Sequence, residues 1–390
     1  MRESRLREVN SLGQSIWYDN ISRSLLASGE IQELIRLGVT GVTSNPTIFE
    51  KAISGSTDYD EAMVSLASLG YDSKDTYEKL AMEDICSVAD LLLPTYDLTQ
   101  GRDGYASIEV NPRLAHNTGA TITEAERLFS TLNRPNIMIK VPATPEGITA
   151  VRALISKGVN VNVTLIFSLE AYAQVMEAYL SGLENLCGSG GELDRVASVA
   201  SFFVSRVDTV VDTLLQEYSL QGPKESAHLL GKVAIANAKL AYKSFRATFT
   251  GARFAALSSR GANVQRPLWA STGTKNPAYS DVLYVDNLIG KDTVNTMPPA
   301  TMVAFMDHGQ LEHTLEQGEA EAEQVMKALA LSGIDIRGVT EKLLADGVKS
   351  FSDSFDQLLV NIEEKRALLL AEGHQQYASA QGITHSARAE

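Results

Sequence analysis

Short runs rich in β-branched and aromatic residues alternate along this chain with longer segments whose apolar positions recur with helical period. Strands are predicted at residues 15–19 (SIWYD), 39–45 (VTGVTSN), 106–110 (ASIEV), 136–141 (NIMIKV), 161–167 (VNVTLIF), 196–203 (VASVASFF), 267–271 (PLWAS) and 293–297 (TVNTM). Between them lie helical patterns such as TEAERLFSTL, PEGITAVRALIS and SLEAYAQVMEAYL, the last with Ser168 as its expected N-cap. Eight strands joined by helices predict a closed (β/α)₈ barrel rather than an open sheet. Such barrels take about 250 residues, so this chain of 390 must carry additions. Two are visible: successive helices over 53–93, and an acidic run over 310–331 that opens a helical region reaching about Ala371. Residues 1–371 are expected to form one domain, and the small, polar 372–390 a fraying tail.

Charge narrows the partners. With 34 basic and 48 acidic side chains, a formal charge of −14, the chain has no overall field to draw nucleic acid or an acidic membrane, although a local basic cluster could still hold a phosphorylated small molecule. Its beginning, MRESRLREVN, lacks the apolar stretch of a secretory signal, and no apolar run approaches the ~20 residues needed to cross a bilayer. A soluble cytoplasmic protein is expected, with Cys86 and Cys187 as inert, buried thiols of a reducing compartment.

The candidate chemistry lies inside the strands. Residues two apart share a strand face, and a parallel barrel strand is normally apolar on both faces. Here Lys140 alternates with Ile139 and Val141, and the same parity pairs Trp17 with Asp19, Thr43 with Asn45, Ser107 with Glu109, Asn162 with Thr164 and Ser201 with Phe203. Six strands thus turn polar groups to one face near their carboxyl ends, where a barrel does its chemistry. Desolvation disfavours an ammonium and makes a neutral, nucleophilic amine accessible near neutral pH, which is how a Schiff-base lysine arises. A buried salt bridge of Lys140 with Glu109 or Asp19 is the structural alternative, but such pairs gain little over apolar packing.

These residues belong to longer motifs: WYDN at 17–20, GVTSNPTIF at 41–49, SIEVNPRLA at 107–115, IMIKVPATPEGI at 137–148, NVTLIFS at 162–168, SFFVSRVD at 201–208 and WASTGTKNP at 269–277. In this order the set resembles the transaldolases, in particular the longer bacterial type, from about Ser11 to Thr301. The resemblance implies a cofactor-free transferase of the non-oxidative pentose phosphate pathway. It would move a dihydroxyacetone unit from sedoheptulose 7-phosphate to glyceraldehyde 3-phosphate, giving erythrose 4-phosphate and fructose 6-phosphate. By the same resemblance Lys140 forms the imine, Asp19 exchanges the proton of the C4 hydroxyl, and Glu109 shuttles protons through a water while the carbinolamine forms and dehydrates. Two carboxyls in different environments can divide such tasks. Thr43, Asn45, Asn162, Thr164 and Ser201 would hydrogen-bond the dihydroxyacetone unit or the catalytic water, with Phe203 and Trp17 as walls that keep water from the enamine. Arg206 matches the family's phosphate-binding arginine and Ser271 its phosphate loop. Where relatives place an arginine after the seventh strand, this chain reads STGTKNP, which puts the charge on Lys275. Relatives suggest a homodimer.

STGTK and CGSGGE lack the spacing of a phosphate-binding nucleotide loop, and the six histidines show no zinc-type spacing, so neither nucleotide nor metal is expected. Two other readings use the same residues. A Schiff-base aldolase would release free dihydroxyacetone, and a sugar-phosphate-binding barrel would bind without forming an adduct.

Overall fold

The computed structural model describes residues 4–221 and 228–380. Eight parallel strands close into a barrel in sequential order: β1 (Gln14–Tyr18), β2 (Val39–Thr43), β3 (Tyr105–Glu109), β4 (Ile137–Pro142), β5 (Val161–Ile166), β6 (Ser198–Phe203), β7 (Arg266–Ala270) and β8 (Thr293–Met297). All eight lie where the periodicity places them, with ends displaced by a residue or two. The connecting helices begin at polar caps. Ser168 Oγ accepts the Ala171 N–H at 3.0 Å, as its position predicts, and Asn45 and Thr144 cap the helices Pro46–Ser54 and Pro145–Ile155 in the same way.

The barrel interior is a packed core with one polar end. Trp17 was expected as a wall of the site, but it fills the interior below that end, fully buried, with Nε1 donating to Asp103 Oδ1 at 2.7 Å. Gly41, its partner across β1 and β2, makes room for it: a Cβ there would lie 2.5 Å from the indole ring. Below the ring a buried arginine closes the amino-terminal mouth, Arg266 Nη1 donating to Ser15 Oγ at 2.6 Å and Nη2 standing 3.6 Å from Asp103 Oδ1. The large indole and this ion pair satisfy one another at the bottom of the barrel, so Trp17 cannot also reach the top.

The first addition comprises the helices Pro46–Ser54, Asp60–Ser68 and Ser73–Leu98. The second comprises Glu319–Leu331 and Ile336–Ala380, so the last helix runs past Ala371, and residues 381–390 of the expected tail lie outside the described residues. This last helix crosses the carboxyl-terminal mouth. Its buried stripe, Val339, Leu343, Gly347, Phe351, Phe355, Leu358 and Ile362, is spaced by three or four residues. Gly347 in the same stripe allows close approach to β5, since a Cβ there would lie 2.9 Å from Leu165 Cδ2. Farther on, Arg113 Nε donates to Asp356 at 2.9 Å, and Asn361 Nδ2 donates to Glu50 at 2.9 Å, which lays the helix along Pro46–Ser54.

The cysteines differ from expectation: Cys86 and Cys187 are free thiols but only half-buried, because they sit on outer helices, Ser73–Leu98 and Leu169–Gly188. No helix among the described residues is long and apolar enough to cross a membrane.

Candidate active site

A cavity of about 660 Å³ opens at the carboxyl ends of the strands beneath the last helix. Lys140 reaches it from β4 and is only 5% exposed. Its Nζ donates to the Ser44 carbonyl at 2.9 Å and stands 3.6 Å from Glu109 Oε2, an ion pair too long for a hydrogen bond. Glu109, Lys140 and Asn162 are partners in register across β3, β4 and β5, which sets them side by side on the inner face.

The two carboxyls stand in different surroundings. Glu109 Oε2 is buried and has no hydrogen-bond partner among the described residues. Burial pushes this carboxyl up to about 7, against the pull of the Lys140 charge. Asp19, just past β1, accepts a hydrogen bond from Thr43 Oγ1 at 2.6 Å. Burial raises it too, while Lys140, the Thr43 hydroxyl and Arg206 pull it down.

The Glu109 shift has a consequence for stability. A carboxyl whose folded value lies above its ordinary 4.5 binds more protons folded than unfolded, so its contribution is fully present below pH 4.5 and is lost as the pH rises through about 7. Denaturant midpoints measured from pH 4 to 8 are expected to fall across that window, and the slope is expected to shrink in Glu109→Gln, whose side chain cannot ionise.

The hydroxyls form chains around these groups. Thr43 and Thr296 share a hydrogen bond of 2.7 Å, while Ser201 Oγ donates to Asn162 Oδ1 at 2.7 Å and Asn162 Nδ2 to Ser107 Oγ at 3.2 Å. Asn162 therefore stands beside Lys140 with its amide committed to neighbours, and it does not line the cavity; Thr43, Asn45, Thr164, Ser201 and Phe203 do. The Asn45 oxygen accepts the Ile48 N–H at 3.0 Å, leaving its NH₂ available. Thr164 Oγ1 is buried and has no partner among the described residues. The next residue, Leu165, is held at φ +62, and Ser271 after β7 at φ +55. Left-handed backbone at a non-glycine residue costs about 1–3 kcal/mol and collects at functional sites.

A cationic rim lies on the β6 and β7 side. Arg206 opens the helix Ser205–Gln221 and stacks on Phe203, its Cζ 5.3 Å from the ring centroid. It has no ion pair or hydrogen bond to any described residue. Ser271 Oγ lies 3.0 Å from Ser205 Oγ, which joins the loop after β7 to the start of the Arg206 helix, and Lys275 lines the same cavity.

The sequence reading missed Thr296, Lys51 and Phe351, all of which line the cavity. Thr296 was findable, since it is a hydroxyl near the carboxyl end of a predicted strand. Phe351 was not, because periodicity shows that a helix has an apolar stripe but not what the stripe covers. Among the described residues, no group of three or more His, Cys, Asp or Glu side chains is placed to hold a metal ion. A second cavity of about 640 Å³ lies between the helices Val233–Phe249 and Glu319–Leu331, away from the strand ends, with Ile235, Leu283 and Val325 among its walls.

Comparison with known proteins converges on one group. Residues 16–362 match the family model described as Transaldolase/Fructose-6-phosphate aldolase. The chain is 45% identical over 373 residues to a protein of Trichodesmium erythraeum named Transaldolase, covering 94% of this chain and 98% of that one. It is 48% identical over 364 residues to a Transaldolase of Saccharopolyspora erythraea (93% and 98% covered) and 47% identical over 357 residues to one of Thiobacillus denitrificans (91% and 99%).

Proposed function

This chain belongs to the transaldolase/fructose-6-phosphate aldolase family, and from that premise we propose that Lys140 carries a dihydroxyacetone unit between sugar phosphates as an imine. The protein is a transferase of the pentose phosphate pathway. The donor is sedoheptulose 7-phosphate and the acceptor glyceraldehyde 3-phosphate, with erythrose 4-phosphate and fructose 6-phosphate as products of the reversible exchange. The observation that carries the Lys140 assignment is a lysine amine, 5% exposed, facing a cavity beside two carboxyls whose surroundings differ.

The amine adds to the ketose carbonyl, and the carbinolamine loses water to give a protonated imine. Glu109 moves these protons through a water, for which its unpartnered oxygen is a ready acceptor. The iminium withdraws electrons from the C3–C4 bond while Asp19 takes the proton of the C4 hydroxyl. The aldose phosphate leaves and an enamine remains on Lys140. Asp19 then protonates the acceptor's carbonyl oxygen as the enamine attacks it, and the steps reverse. Thr43 holds the Asp19 carboxylate in place. Asn45, Thr164 and Ser201 hydrogen-bond the bound unit, and Asn162 orients Ser201. The unpaired Arg206 guanidinium, with Ser271 and Lys275, takes the phosphate.

Charge-assisted hydrogen bonds of this kind contribute about 1.5–3 kcal/mol, so Arg206→Ala is expected to raise KM for sugar phosphates roughly 10- to 100-fold. Transfer from unphosphorylated fructose should change much less. Equal losses with both donors would remove the phosphate assignment. The same reading has the protein act in the cytoplasm and as a homodimer, and light scattering of the purified protein tests the dimer.

An aldolase would use the same lysine. Acceptor dependence separates the two. With fructose 6-phosphate alone, glyceraldehyde 3-phosphate should appear only up to one equivalent per enzyme, and turnover should begin when erythrose 4-phosphate is added. Continuous release without an acceptor would favour the aldolase.

A further inference from the structure

The transfer requires the enamine on Lys140 to outlive the departure of one aldose phosphate and the arrival of another. During that interval a proton delivered to the enamine carbon regenerates the iminium. Water then adds to it, and dihydroxyacetone is released with the free Lys140 amine. Catalysis by transfer rather than release depends on what covers the amine. Phe203, at the end of β6, lines the cavity as one apolar wall, but most of the strand groups that face it are polar. Asp19, Thr43, Thr164 and Ser201 are polar groups that attract water to the same cavity.

The cover comes from the last helix. Phe351 stands over Lys140 with its ring centroid 5.9 Å from Nζ, lines the cavity and is itself 5% exposed. Its position is fixed on both sides. One turn earlier, Gly347 lets the helix settle on Leu165 at the end of β5, and one turn later Thr47 Oγ1 donates to Ser354 Oγ at 2.9 Å. The neighbouring Phe355 packs edge-on against Tyr77 with centroids 5.5 Å apart, and Tyr77 packs edge-on against Phe49 at 5.8 Å. This aromatic row ties the roof to two helices of the first addition, Tyr77 lying in Ser73–Leu98 and Phe49 in Pro46–Ser54.

We infer that Phe351 is a specificity-determining residue, the roof that keeps water from the Lys140 enamine and so sets the partition between transfer to an aldehyde and release of dihydroxyacetone. The inference rests on the imine assignment to Lys140. A ring suits the task because it is large, apolar and held by packing without bonding the substrate. It also explains why a barrel with its core already complete carries a 45-residue helix across its mouth.

The test compares wild type, Phe351→Ala and Phe351→Leu, each first shown by circular dichroism and thermal melting to be folded. With fructose 6-phosphate and no acceptor, free dihydroxyacetone is measured. With erythrose 4-phosphate added, sedoheptulose 7-phosphate is measured. The ratio of release to transfer is expected to rise at least about tenfold in Phe351→Ala, the equivalent of about 1.4 kcal/mol, and much less in Phe351→Leu, which keeps apolar bulk. In deuterium oxide the released dihydroxyacetone should carry one carbon-bound deuterium from solvent protonation of the enamine. If release and transfer change in parallel in both variants, the roof assignment is wrong. Borohydride trapping on Lys140 in the same preparations separates the two claims: an adduct with an unchanged ratio overturns only the role of Phe351, while no adduct in wild type overturns the imine itself. Should Phe351→Ala not fold, the ratio in Phe351→Tyr, which brings a hydroxyl to the roof, decides the matter: a rise above wild type and Phe351→Leu supports the roof, and the wild-type value overturns it.

Discussion

Lys140→Ala is expected to lose transferase activity by at least about 10⁴-fold, the scale at which removal of a nucleophile leaves only positioning and binding by the rest of the site. The fold should survive, because the substitution also removes a buried charge that is only partly matched: Nζ has one hydrogen bond, to the Ser44 carbonyl, and a carboxylate at 3.6 Å. Sugar phosphate should still bind, since the unpaired Arg206, Ser271 and Lys275 are untouched. Isothermal titration with fructose 6-phosphate beside an assay of turnover checks both halves. A variant that neither binds nor turns over would show that Lys140 organises the cavity rather than reacting in it.

The second large effect concerns Asp19. Asp19→Asn should lower kcat by roughly 10²–10⁴-fold, the usual contribution of a positioned general acid or base, with KM changed little. The amide keeps the shape and can still accept the Thr43 hydrogen bond, so what is lost is the proton transfer. The defect should lie in carbon–carbon cleavage and not in imine formation. Ketose mixed with the variant and borohydride should then leave the intact sugar phosphate on Lys140, where wild type leaves the three-carbon unit as well. A variant that fails to form any imine would move Asp19 to the earlier step.

How much of this was legible in the sequence follows from what each signal measures. The barrel was readable because β-branched runs alternate with helical period, and the inner face because parity along a strand is fixed by the backbone. Lys140 and Glu109 could therefore be set on one face from Ile139 and Ser107 onward, and their register as neighbours followed on folding. Trp17 shows the limit of parity. It shares a face with Asp19 but lies one step deeper, and its Nε1 is claimed by Asp103, a residue outside any predicted strand. Asn162 shows the same limit, facing inward yet spending its amide on Ser201 and Ser107. Phe351 lay beyond reach for another reason. Its contact with Lys140 spans more than two hundred residues and depends on the path of a helix over the mouth, which no local pattern encodes.

The same distinction sorts the charged residues. Arg206 and Lys275 were placed on the rim by resemblance alone, and the geometry adds a physical ground for the first, since a guanidinium stacked on Phe203 with no ion pair to any described residue is matched to an anion. Arg266, the other inward arginine, has its partners in Ser15, Asp103 and the Arg102 carbonyl, and it closes the opposite mouth. The two arginines, one at the start of the helix after β6 and one on β7, thus differ in whether the described residues already satisfy them.

The most direct test of the account is covalent. Intact and peptide mass spectrometry after mixing the protein with fructose 6-phosphate and sodium borohydride should show one three-carbon dihydroxypropyl group per chain, located on Lys140 and absent from Lys140→Ala. A folded protein that binds the sugar phosphate and acquires no adduct on Lys140 would contradict the imine mechanism and leave a barrel that binds sugar phosphates without reacting with them.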